Sequence, residues 1–252
     1  MSRHILISGG TQGIGLGCAK KFADQGDQVT LIGRTQEHLD QALIALPNAR
    51  GYLFDVSNPS MVGEYVERIE QAHGAIDVLV NSAGSGRRAE TLKLTHNDWM
   101  HSMQSKFFTY TNMLDAVLPR MAQRRSGSAI NIIGYSGKGQ IPNHVNGGAA
   151  NAALMMATTG LAHEYARYSV RVNAVNPAGV ETEHIQRYMR QEAEWRNTSY
   201  EHIRQEAVSK YPLGRLVTVE EVAATVVFLA SSAAASICGA VIPIEGARNP
   251  LV

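Results

Sequence analysis

Short β-branched runs alternate along the chain with longer stretches in which apolar residues recur at helical spacing. The runs at 5–7, 29–32, 52–54, 78–80, 129–133, 170–175 and 240–244 predict strands. Between them, the pattern predicts helices over 13–25, 36–46, 59–73, 98–123, 149–168 and 219–230. A charged, helix-prone stretch runs from 183 to 210. The strands are continuous apolar runs rather than alternating ones, as expected when helices cover both faces of a sheet. Strand-helix alternation implies parallel strands joined by right-handed crossovers. The fold class expected is therefore α/β: a doubly wound parallel sheet of about seven strands with helices on both faces. No linker, low-complexity segment or solenoid-length repeat interrupts the pattern, so one domain over 1–252 is expected.

Composition narrows the picture only by exclusion. The 252 residues are 18% charged and 44% apolar, with a formal net charge of +1. That balance gives no electrostatic reason to expect nucleic acid or a membrane surface as partner. The two cysteines, Cys18 and Cys238, have no motif spacing, which argues against a disulfide framework and against a metal site. The N-terminus enters a strand directly and shows no signal-peptide pattern, and the apolar run at 222–230 is too short to span a bilayer. A soluble cytoplasmic protein is expected.

The first strand leads into Ser8-Gly9-Gly10-Thr11-Gln12-Gly13-Ile14-Gly15, and a helix follows. Glycines permit a tight turn and a close approach of backbone to pyrophosphate. The free N–H groups and dipole of the helix N-terminus favour the anion. The Gly9-x-x-x-Gly13-Ile14-Gly15 spacing resembles the nucleotide loop of the short-chain dehydrogenase/reductase family, and the resemblance continues along nearly the whole chain. Asp55-Val56 is similar to the family pair that contacts adenine. Asn81-Ser82-Ala83-Gly84 resembles the motif after strand four, and Pro177 to Thr182 resembles the segment that holds the nicotinamide carboxamide, with Val180 and Thr182 at the contact positions. The resemblance implies a Rossmann-like fold, a dinucleotide cofactor, a small-molecule substrate under a lid at about 183–212, and a homodimer or homotetramer.

The choice of dinucleotide turns on the end of strand two. An acidic residue there would accept hydrogen bonds from the ribose 2′-OH of NAD. This chain has Gly33, Arg34 and Thr35 instead. No carboxylate repels a 2′-phosphate, and Arg34 can bind one through charge-assisted hydrogen bonds. NADP is expected over NAD, with Thr11, Gln12 and Thr35 beside it.

The catalytic positions that the resemblance implies are altered. The family uses a serine, a tyrosine, a lysine four residues later and an asparagine in the preceding long helix. On that alignment the serine position is Gly134, the tyrosine position Gly147, the lysine position Asn151 and the asparagine position Lys106. Lysine and asparagine have exchanged places. Lys106 is expected to supply the positive charge from the other helix, and Asn151 to hydrogen-bond the ribose or a water. Tyr135, Lys138 and His144 are candidates for the missing acid, Tyr135 and His144 foremost. Three functions stay open on these residues: an NADP(H)-dependent oxidoreductase with a non-standard proton relay, a non-catalytic dinucleotide-binding protein acting as sensor or partner subunit, and a non-redox lyase or isomerase.

Overall fold

The structure is a computed structural model that describes residues 2–84, 90–139, 141 and 143–248. Its centre is a parallel sheet of seven strands: β1 (His4–Ser8), β2 (Gln28–Gly33), β3 (Arg50–Leu53), β4 (Val78–Asn81), β5 (Gly127–Ile132), β6 (Val170–Pro177) and β7 (Val241–Ile244). Their order is β3-β2-β1-β4-β5-β6-β7. The chain winds outward from β1 to β3, then returns to place β4 against the other side of β1. At that reversal the crossover helices leave opposite faces, which opens a crevice beyond the carboxyl ends of β1 and β4.

Helices cover both faces, as the continuous apolar strands require. In β1, Ile5 and Ile7 pack on one side and Leu6 on the other, by the two-residue period of a strand. Helices α1 (Gly13–Ala23), α2 (Gln36–Ala45) and α9 (Val219–Ala230) bury Phe22, Leu39 and Val226 against the first side. On the second side lie α3 (Pro59–His73), α5 (Thr109–Gln123) and α6 (Val145–Ala166), which contribute Val66, Val117 and Ala162. Asn58 caps α3 by accepting from Ser60 N, with Pro59 in the first turn. Thr218 and Glu221 form a capping box on α9. These two helices begin and end where the sequence pattern puts them.

The expected long helix over 98–123 is not continuous. It is divided into α4 (His96–Ser102), a widened turn over Met103–Phe108 and α5. Such wide turns shift the helix face and cluster at functional sites. The 149–168 helix starts earlier than expected, as α6, and 183–210 resolves into α7 (Glu183–Trp195) and α8 (Tyr200–Val208). Among the described residues no helix is long and apolar enough to cross a membrane.

Candidate active site and cofactor cleft

A cleft of about 440 Å³ lies over the β1–α1 turn. Gly9, Thr11, Gln12, Gly13 and Ile14 line it on one side, with Gly33, Arg34 and Thr35 at one end. The turn is held by the amides of Gly9 and Gly10, both donating to the carbonyl of Ile32 at 3.0 and 3.3 Å. Gly9 has φ +68°, and a Cβ there would lie 2.7 Å from the backbone of Ala83. Gly15 does not line the cleft but closes the turn from below: a Cβ there would lie 2.2 Å from the Gly9 carbonyl oxygen. The first intrahelical bond of α1 runs from Leu16 N to Gln12 O, so the amides ahead of it are available. Gln12 makes no side-chain cap, and no acidic residue stands in the first turn. This cradle fits a pyrophosphate.

The rest of the cleft sorts the other expected contacts. Val56, Ala83, Gly84 and Thr182 line it. Asp55 does not: its Oδ1 accepts from Ser57 N at 2.9 Å and shapes its own turn. Asn81 does not line the cleft either. Its side chain is fully buried between strands, accepting from Ser8 Oγ and donating to Asn131 Oδ1 at 3.0 Å, so it ties the sheet together rather than facing a ligand. Val180 is buried and bridges to Val217 beside the cleft, while Pro177 lines the neighbouring chamber. Three basic groups that no motif announced, His38, His184 and Arg187, join Arg34 around the cleft, and Glu183 is the one carboxylate among the described lining residues.

The cleft opens through Gly84 and His184 into a chamber of about 390 Å³. Here all four residues expected to carry chemistry meet in one place: Lys106, Tyr135, His144 and Asn151, around Gly134 and Gly147. His144, Gly147 and Asn151 follow one face of α6 and its cap. The imidazole of His144 lies over Gly147: a Cβ there would sit 2.2 Å from Cε1 and 2.5 Å from Nε2. Asn151 is buried and donates to Ser136 Oγ at 2.8 Å and to Gly134 O at 3.4 Å. Gly134 has φ +135°, which a side chain rarely adopts, and its amide donates to Asn176 Oδ1 at 3.2 Å. Tyr135 also lines the chamber, but its hydroxyl end packs on the backbone of Gly139 and its ring lies under Arg248. Lys138 is exposed and lines none of these cavities.

Lys106 sits in the widened turn with 8% exposure. Its Nζ donates to the Tyr110 hydroxyl at 2.8 Å and to Ile132 O at 3.2 Å, and it lies 4.4 Å from the Tyr110 ring centroid. Tyr110 donates in turn to Ile132 O. Gly84 makes room for the lysine, since a Cβ there would lie 2.9 Å from Lys106 Cδ. No carboxylate forms an ion pair with Lys106 among the described residues. Burial without a counter-ion pushes its pKa down to about 7.

That shift predicts a pH dependence of stability. Between about pH 7 and the ordinary lysine value of 10.5, the unfolded chain holds a proton that the folded chain has released. Stability therefore rises with pH across that window. Denaturant unfolding at pH 7 and pH 9.5 is expected to show a gain on the order of 1–3 kcal/mol. Lys106→Met, which removes the buried amine, is expected to flatten that gain.

A third cavity, of about 470 Å³, continues from the chamber between α7 and α8. Ile141, Gly179, Ile185 and Arg248 line both. Its walls include Met189, Trp195, Ile203 and Leu216. This is where the lid was expected, and the two helices form its roof.

Comparison with known proteins agrees with this geometry. Residues 9–247 match the family model described as enoyl-(acyl carrier protein) reductase. A 3-oxoacyl-[acyl-carrier-protein] reductase of Thermotoga maritima is 32% identical over 245 residues, covering 96% of this chain and 95% of that protein. The enzyme of the same name from Chlamydia muridarum is 29% identical over 251 residues, with 98% and 97% coverage. Among solved structures, a variant actinorhodin polyketide ketoreductase with NADPH superposes with a TM-score of 0.93 at 27% identity, covering 97% of this chain and 96% of that one. ElxO with NADP bound superposes with a TM-score of 0.89 at 26% identity, covering 98% of this chain and 99% of that one. The chain belongs to the short-chain dehydrogenase/reductase family of NAD(P)-dependent oxidoreductases.

Proposed function

We propose that the protein is an NADP(H)-dependent carbonyl reductase, or the reverse alcohol dehydrogenase, that acts on a small organic substrate through a relocated proton relay. The observation that carries this reading is the imidazole of His144, which fills the space over Gly147 in the same chamber as Lys106 and Asn151. Bound NADP(H) supplies or accepts the hydride. Gly9, Thr11, Gln12, Gly13, Ile14 and Gly15 form or support the pyrophosphate cradle, Val56, Ala83 and Gly84 flank it, and Thr182 closes it.

The chamber residues divide the remaining work. His144 donates the proton to the carbonyl oxygen, the general-acid task for which an imidazole in the chamber is placed. Ser136 Oγ accepts from Asn151, which leaves its own O–H to donate to the substrate oxygen. Ser136 thereby takes the orienting task that a side chain at 134 cannot perform, because the backbone there requires glycine. Lys106, with a pKa about 7, places a titratable positive charge behind Gly84. The family's usual serine, tyrosine, lysine and asparagine are absent in this reading, and their tasks pass to Ser136, His144, Asn151 and Lys106.

The reading is supported on the cofactor side by Arg34 and Arg187, which outnumber the one lining carboxylate and suit a 2′-phosphate. Arg34→Ala is expected to weaken NADPH binding about 10- to 100-fold while leaving NADH binding within about twofold. Calorimetric titration of both cofactors checks this. The function itself is tested by following NADPH consumption, and NADP reduction in reverse, across aliphatic ketones, diones, oxo acids and their alcohols. Consumption with at least one is expected. Tight NADPH binding with no turnover in either direction would favour the non-catalytic binding protein.

A further inference from the structure

The chamber carries a charge pattern that the reduction of a carbonyl does not by itself require. Its described lining holds Lys106, His144, His184 and Arg248 and no Asp or Glu. Arg248 stands at the junction with the lid pocket and lines both cavities. Its guanidinium lies 4.7 Å from the Tyr135 ring centroid and 5.4 Å from that of Tyr211. Nη1 also donates to the Tyr211 hydroxyl at 3.1 Å, and that hydroxyl accepts from Gly179 N at 2.6 Å. Arg248 is thus half-buried, held on two aromatic faces and fixed by a hydrogen bond, yet no carboxylate forms an ion pair with it among the described residues. Among the described residues its guanidinium bonds only the Tyr211 hydroxyl, and a planar fork of this kind matches a carboxylate.

The nearby acids do not neutralise it. In the lid pocket, Glu206 pairs with Arg196 at 2.5 Å and Glu192 with the same arginine at 3.6 Å. Glu90 pairs with Lys93 at 2.7 Å. Beyond Arg248 the pocket wall also offers an apolar group, Ile185, Met189, Ile203 and Leu216, beside those paired acids.

We propose that Arg248 is the specificity-determining residue of the site and binds the carboxylate of an apolar-tailed oxo acid or the matching hydroxy acid. Tyr135 follows Gly134 directly, so a carboxylate on Arg248 lies close to the reacting carbonyl, as in a 2- or 3-oxo acid. The hydrocarbon tail fills the pocket under α7 and α8. Tyr135 and Tyr211 act through Arg248 as positioning residues.

This substrate class rests on the reading of the chamber as the reaction site, so the test separates the two. Octanoate and 1-octanol, an anion and a neutral probe of equal tail length, are titrated calorimetrically into the protein with and without saturating NADPH. Octanoate is expected to bind at least about tenfold tighter than octanol. Arg248→Gln is expected to remove that preference while leaving octanol and NADPH affinities within about twofold, and Arg248→Lys to restore only part of it. Equal binding of the two probes to the native protein, no octanoate binding, or an equal loss of both probes in Arg248→Gln would overturn the proposal. Failure of NADPH to bind, with the octanoate preference intact, would instead remove the reductase reading and leave the carboxylate site standing. Against 2-oxooctanoate, Arg248→Gln is expected to raise KM far more than it lowers kcat.

Discussion

Replacing His144 with alanine is expected to lower kcat about 10²- to 10⁴-fold while leaving the affinity for NADPH within about twofold. The size follows from the loss of a positioned proton donor, and the selectivity from the ring's place in the chamber rather than in the cofactor cleft. Steady-state kinetics with any substrate found, beside a cofactor titration, checks both halves. Gly147→Ala provides an independent route to the same result. A Cβ at 147 would lie 2.2 Å from the imidazole, which must then swing away while the helix backbone stays in place. The two variants are expected to lose activity together, whereas Tyr135→Phe is expected to cost less than tenfold, because the Tyr135 hydroxyl is turned toward Gly139. A larger loss in Tyr135→Phe than in His144→Ala would assign the proton to the phenol instead.

Gly15→Ala is expected to abolish measurable NADPH binding. The added Cβ meets the Gly9 carbonyl oxygen at 2.2 Å, and neither partner is a flexible side chain. Relief demands a shift of the turn or of α1. The turn has little freedom, since it packs so closely on the Ala83 backbone that even a Cβ at Gly9 would lie 2.7 Å from it, and the Gly9 amide is bonded to Ile32 O. Displacing cradle amides by about 1 Å takes their hydrogen bonds to an anion outside useful distance. The same crowding is expected to destabilise the fold by about 1–3 kcal/mol. Circular dichroism and denaturant unfolding distinguish a folded protein that no longer binds from one that has unfolded.

Much of the architecture was legible because the physics that sets it is local. Strands buried on both faces read as unbroken apolar runs, and Asn58-Pro59 and Thr218 with Glu221 mark the starts of α3 and α9. The break between α4 and α5 was not read. It does have a sequence signal: Lys106 lies in line with Tyr110, Leu114 and Val117 on an otherwise apolar, buried face. A cation on such a stripe needs acceptors, and it reaches Tyr110 OH and Ile132 O from a widened turn that a periodic pattern does not encode.

The site divides in the same way. The glycine turn and Arg34 follow one another in sequence and were found as a group. Asp55 and Asn81 belong to recognisable motifs, yet their side chains serve the turn and the sheet, because a motif fixes position and not the direction of a carboxylate or amide. Ser136, Arg187 and Arg248 were missed. Arg248 reaches the chamber from beyond the last strand, and only tertiary packing brings it over Tyr135. The first-turn run Glu183-His184, with Arg187 one turn later and Thr182 as the cap, is the signal that would have pointed α7 at the cleft.

The most direct test of the account is calorimetric titration of the purified protein with NADPH and with NADH. The account predicts a single NADPH site per chain and an NADPH affinity at least about tenfold above that for NADH. Binding of neither cofactor, or tighter binding of NADH, would contradict it.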